Sequence, residues 1–114
     1  MLKCKSSDVT FKTITPALLH ILRALQRADS YFPEDMIITS VNDGKHAVNS
    51  AHYRDEAVDI RCNDRPKHVD MVLVDYLKDL LGPSFLVLYE SEGTPNEHIH
   101  IQLRKGMKWT TLDN

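Results

Sequence analysis

The chain is poor in the residues that would mark a special class of protein. It has only two cysteines, Cys4 and Cys62, in 114 residues, which excludes a disulfide framework and points to thiols kept in a reducing compartment. It has no CxxC pair, so a cysteine-built metal site is not expected. Four glycines and five prolines are too few for a collagen-like or low-complexity chain. No repeat or linker divides it, and one domain over residues 1–114 is expected. No apolar run approaches the ~20 residues of a membrane helix. Met1-Leu2-Lys3-Cys4-Lys5 leads into Ser6-Ser7-Asp8 without an apolar segment, so no signal peptide is expected and synthesis in the cytoplasm is. Charge of one sign is lacking too. Fourteen Lys and Arg against sixteen Asp and Glu give a net charge of −2, and bulk charge makes no case for a nucleic-acid or membrane partner.

What is present is an ordinary globular balance, with 42% hydrophobic and 26% charged residues, and six histidines, five of them between positions 46 and 100. Residues 1–12 are polar, with a short strand conceivable around Val9–Lys12. Thr15 and Pro16 form a helix start, followed by Leu18, Ile21, Leu22, Leu25 and Ala28 on one face. His20 falls off that face and is expected to be solvated. Residues 36–41 (MIITSV) read as a buried strand, followed by a turn-like Asn42-Asp43-Gly44-Lys45-His46. Residues 57–62 (AVDIRC) read as a strand with Val58, Ile60 and Cys62 on one face and Ala57, Asp59 and Arg61 on the other. A second helix starts near Pro66, carries Val69, Val72, Leu73, Tyr76, Leu77 and Leu80 as its stripe, and stops at Gly82-Pro83. Residues 84–89 (SFLVLY) and 98–103 (HIHIQL) complete the strands, and Trp109 anchors a polar tail. The fold class is α+β: a small, mostly antiparallel sheet with two main helices on one face.

The last strand alternates cleanly. Ile99, Ile101 and Leu103 share one face; His98, His100 and Gln102 share the other, so two imidazoles project into one space. Asp59 lies on the non-aliphatic face of its strand, and His52 precedes it. If these strands are neighbours, His52, Asp59 and His100 converge as a two-histidine, one-carboxylate set of the kind that holds zinc with a position left for water. A polar sheet face with solvated histidines is the alternative. His68, near the start of the second helix, is not expected to take part.

Residues 50–59 (SAHYRDEAVD) resemble the S-x-H-x-x-G-x-A-x-D motif of the D-Ala-D-Ala carboxypeptidase and L-alanyl-D-glutamate peptidase family, zinc peptidases of bacterial walls and phage endolysins. Residues 97–100 (EHIH) resemble that family's closing motif. The chain is also similar to the hedgehog signalling domain, which shares the fold and zinc site. The shared residues are Asp43-Gly44, His46, Ser50, His52-Tyr53, Ala57-Val58-Asp59-Ile60, Tyr89-Glu90-Ser91 and His98-Ile99-His100. Together these span about residues 36–104.

The resemblance implies one zinc ion per chain, on His52, Asp59 and His100, and a catalytic glutamate beside its water. Glu90 and Glu97 compete for that role. Glu97 stands three residues before His100, a separation that on a regular strand turns it to the opposite face, so parity favours Glu90. His46 and His98 are the implied oxyanion stabilisers, and Ser50 the implied substrate contact. Two positions depart from the family pattern. Asp55 replaces a glycine, and Val41-Asn42-Asp43 supplies no arginine, leaving Arg54, Arg61 or Lys45 to meet a substrate carboxylate. The implied activity is hydrolysis of a peptidoglycan stem peptide by a monomer that reaches the wall after lysis or export. The rival reading is a non-catalytic zinc-containing binding or structural module with the same fold.

Overall fold

The computed structural model describes residues 1–41, 56–62 and 65–109. Among the described residues, seven elements follow in order: β1 (Leu2–Cys4), α1 (Pro16–Asp29), β2 (Met36–Ser40), β3 (Ala57–Arg61), α2 (Lys67–Leu81), β4 (Phe85–Glu90) and β5 (His98–Leu103). The strands form one open sheet in the order β1-β2-β3-β5-β4. The β1–β2 pair is parallel and the other three pairs are antiparallel. The architecture is therefore a small α+β one with a mostly antiparallel sheet and two helices. Among the described residues no helix is long and apolar enough to cross a membrane.

Local chemistry explains both helices. Thr15 Oγ1 accepts the Leu18 backbone N–H at 3.1 Å, and Pro16 occupies the first helical position. Leu18, Ile21, Leu25 and Ala28 are fully buried. The α2 helix ends at Gly82, whose φ of 85° is open to glycine and costly for other residues. One core joins these helices to the inward residues of the sheet, among them Ile38, Val58, Ile60, Val87, Ile99, Ile101 and Leu103. This burial is what locks strand register, because a one-residue slip would turn every inward side chain outward.

The structure corrects the sequence reading in four places. No strand forms over residues 9–12; the strand is β1, on the edge beside β2, and Val9 inserts into the core instead. The strand expected over 84–89 runs from Phe85 to Glu90, so Glu90 has a fixed position on the sheet. His20 is half-buried: it stacks on Trp109 with ring centroids 4.6 Å apart and contacts Phe85 at 5.1 Å. Its polar edge made it look solvated, yet an imidazole body packs like an aromatic.

The buried face of α2 is the fourth correction. It runs through Asp70, Leu73, Val74, Leu77 and Leu81, while Val72 is 57% exposed. Asp70 belongs inside because Arg65 meets it there. Arg65 Nε donates to Asp70 Oδ1 at 2.6 Å, Nη1 to the Asp35 carbonyl at 2.9 Å and Nη2 to the Arg61 carbonyl at 2.8 Å. Both side chains are fully buried, so the guanidinium ties the end of β3, the first turn of α2 and the segment before β2 together.

Cys62 follows β3 directly and is fully buried; Cys4 is exposed. Burial, reinforced by the Asp70 carboxylate, pushes the Cys62 thiol up from 9.0 to about 12. A thiol reagent is expected to modify Cys4 promptly in the native protein and Cys62 only after unfolding. Two fast-reacting thiols per native chain would contradict this burial. The folded state also holds the Cys62 proton more tightly than the unfolded state. The unfolded thiol ionises first, so this contribution to stability falls as pH rises above about 9.

Candidate metal and catalytic site

The described candidate residues of β3, β4 and β5 lie on the outward face of the sheet, where strand register arranges them in rows. Arg61, His98 and Glu90 form one row across β3, β5 and β4. Asp59, His100 and Leu88 form the next, and Ala57, Gln102 and Leu86 the third. Every member lies on the face away from the helices because its strand neighbours are the apolar residues of the core.

Asp59 and His100 are directly opposed, and His100 Nδ1 lies 2.8 Å from Asp59 Oδ1. The other ring nitrogen, Nε2, lies 2.8 Å from Gln102 Oε1. The Asp59 side chain is 15% exposed and that of His100 12%, so both groups are largely out of water. Burial alone would lower the His100 pKa, but the hydrogen bonds to Asp59 and Gln102 outweigh it and raise the pKa above its ordinary value. The β2–β3 register shifts between Ile38 and Ser40, so an irregularity in the ladder stands beside Asp59. Such shifts re-aim strand residues, and they are over-represented next to functional sites.

His98 sits one row away. Its Nδ1 donates to the Asn96 carbonyl at 2.7 Å, which turns Nε2 toward the site. There Nε2 lies 3.3 Å from Glu90 Oε1 and 3.8 Å from Asp59 Oδ1. The Glu90 side chain remains 43% exposed, so a carboxylate with access to water stands at the rim of a mostly desolvated cluster.

Glu97 goes elsewhere. Its Oε2 accepts the Gly93 backbone N–H at 3.3 Å, bracing the turn between β4 and β5. It also hydrogen-bonds Tyr89, whose phenol is raised by burial and by this carboxylate. Tyr89 pairs with Ile99 and packs against the core, on the side opposite His98 and His100. The Arg61 side chain is half-buried in the row of His98. His68 is exposed on α2, and Lys67 of the same turn pairs with Glu92 across the surface.

His46, Ser50, His52 and Arg54, with Lys45 and Asp55, lie outside the described residues. Among the described residues, no group of three or more His, Cys, Asp or Glu side chains is placed to hold a metal ion. Asp59 and His100 nevertheless offer adjacent oxygen and nitrogen donors of the types zinc takes, in a half-buried setting. That donor chemistry fits two of the three implied ligands. Gln102 and Asn96 are the contacts that motif reading passed over. The signal for Gln102 was its place on the face of His98 and His100; the Asn96 contact is made by a backbone carbonyl and leaves no mark in residue type. No protein-family model and no curated protein matches this chain.

Proposed function

We propose that this chain is a zinc-dependent peptidase of the D-Ala-D-Ala carboxypeptidase and L-alanyl-D-glutamate peptidase family, with the hedgehog-like form of the α+β fold. Its substrate is an amide bond of the peptidoglycan stem peptide, reached after lysis or export, as in phage or prophage lysis. One observation carries this reading. Asp59 and His100, 41 residues apart and from separate motifs, meet at 2.8 Å, and His98 and Glu90 occupy the adjoining row of the same face.

Asp59 and His100, with His52, would hold the ion. A zinc ion bound there supplies Lewis acidity toward a water molecule and the scissile carbonyl. The remaining work falls to the chain's own side chains. Glu90, at the rim and open to water, accepts a proton from the attacking water and returns it to the leaving amine. His98, oriented by the Asn96 carbonyl at Nδ1, would as the doubly protonated imidazolium present an Nε2–H donor to the carbonyl oxygen as it gains negative charge. Arg61, in the same row, is the one of the three candidate cations that lies among the described residues, and it would attract a substrate carboxylate.

Digestion of purified sacculi by zinc-loaded protein, with products read by mass spectrometry, tests the proposal. New stem-peptide fragments are expected from the wild type and none from Asp59→Ala. One tightly bound zinc per chain without any fragments would overturn the peptidase and favour a zinc-containing binding or structural module. Failure to bind zinc would remove both readings.

A further inference from the structure

The Asp59–His100 pair is supported from behind by a side chain that none of the motif residues accounts for. Gln102 lies two residues after His100 on β5, on the same face, flanked in its row by Ala57 and Leu86. Those neighbours offer its carboxamide no side-chain hydrogen bond. The carboxamide is oriented by the backbone: Nε2 donates to the Leu103 carbonyl at 3.1 Å. Oε1 is thereby assigned to the His100 ring, and it accepts from His100 Nε2 at 2.8 Å. A metal-bound imidazole keeps one N–H, and an acceptor on one nitrogen leaves the other to the ion. Here the other nitrogen is Nδ1, 2.8 Å from Asp59 Oδ1, where the carboxylate accepts from the ring; an ion taken up by Asp59 and His100 would replace that proton, while Gln102 retains the one on Nε2.

We propose that Gln102 is a positioning residue that makes His100 a ligand through Nδ1, by holding the ring proton on Nε2 and fixing the ring plane. This rests on the metal-site reading above. Supports of this kind orient metal-bound histidines and raise their basicity, and their loss typically costs 10–100-fold in metal affinity. The effect arises without contact between Gln102 and the ion.

The test measures zinc affinity by chelator competition for the wild type, Gln102→Leu, Gln102→Glu and Asp59→Ala. It also records nitrogen-15 shifts of the histidine rings in the zinc-loaded wild type. Gln102→Leu, which keeps the shape and removes the acceptor, is expected to bind zinc about 10–100-fold more weakly. Gln102→Glu keeps an acceptor but loses the donor to the Leu103 carbonyl, and is expected to bind zinc more tightly than Gln102→Leu. The ring shifts are expected to show Nε2 protonated and Nδ1 bound to metal at His100. Wild-type affinity in Gln102→Leu, alongside a large loss in Asp59→Ala, would overturn the role of Gln102 and leave the metal site standing. A zinc-loaded wild type with Nδ1 protonated would overturn it without any variant, should Gln102→Leu fail to fold. If the wild type and Asp59→Ala both fail to bind zinc, the metal site falls and the proposal with it.

Discussion

Glu90→Gln, loaded with zinc, is expected to hydrolyse a stem peptide about 10²–10⁴-fold more slowly than the wild type, the usual contribution of a positioned acid–base group. The substitution preserves shape and removes the proton acceptor. Glu90 shares a row with His98, stands 3.3 Å from its Nε2, and keeps 43% of its side chain in contact with solvent. Glu97→Gln is expected to stay within a few-fold of the wild type. Its carboxylate is committed to the Gly93 N–H and to Tyr89, and an amide oxygen can still accept there. Steady-state kcat/KM and zinc stoichiometry, measured together for both variants, separate lost chemistry from lost metal. A large loss in Glu97→Gln with normal activity in Glu90→Gln would reverse the assignment.

Arg65→Met is expected to destabilise the fold by about 3–5 kcal/mol, because it leaves the Asp70 carboxylate buried without its cation. Domains of this size hold only about 5–15 kcal/mol in total, so the loss is a large share of the whole. Chemical denaturation should show it as a lower midpoint at unchanged slope. The double variant Arg65→Met/Asp70→Leu is expected to recover much of the loss, since an apolar pair removes the desolvated charge altogether. A single variant within 1 kcal/mol of the wild type would show that water or another cation reaches Asp70. By contrast, breaking the exposed Lys67–Glu92 pair is expected to change stability by under about 1 kcal/mol.

The two predictions differ in how far the sequence announced them. The alternation of Ile99, Ile101 and Leu103 against His98, His100 and Gln102 is a period-two pattern, and it assigned both faces of β5 correctly. The same parity separated Glu90 from Glu97. Helix limits were equally legible at Thr15-Pro16 and Gly82-Pro83, because caps and breakers act within a few residues. The Arg65–Asp70 tie was not legible. A charged residue on a helix is expected in water, and only the arrival of a guanidinium from the preceding segment turns Asp70 inward. That exchange also displaces Val72 to the surface, against its hydrophobic character.

By itself, then, the sequence determined which residues alternate, which segments are helical, and which side chains carry oxygen and nitrogen donors. Those properties depend on residue type and on spacings of two to four along the chain. Only the tertiary structure decided that β3 lies between β2 and β5, which brings Asp59 to His100 across 41 residues of chain. It also decided that Asn96 and Gln102 orient the two imidazoles, and that His20 packs under Trp109. These are pairings between distant segments. The free energy of burying one face of the sheet selects them, and no local signal encodes which strands will meet.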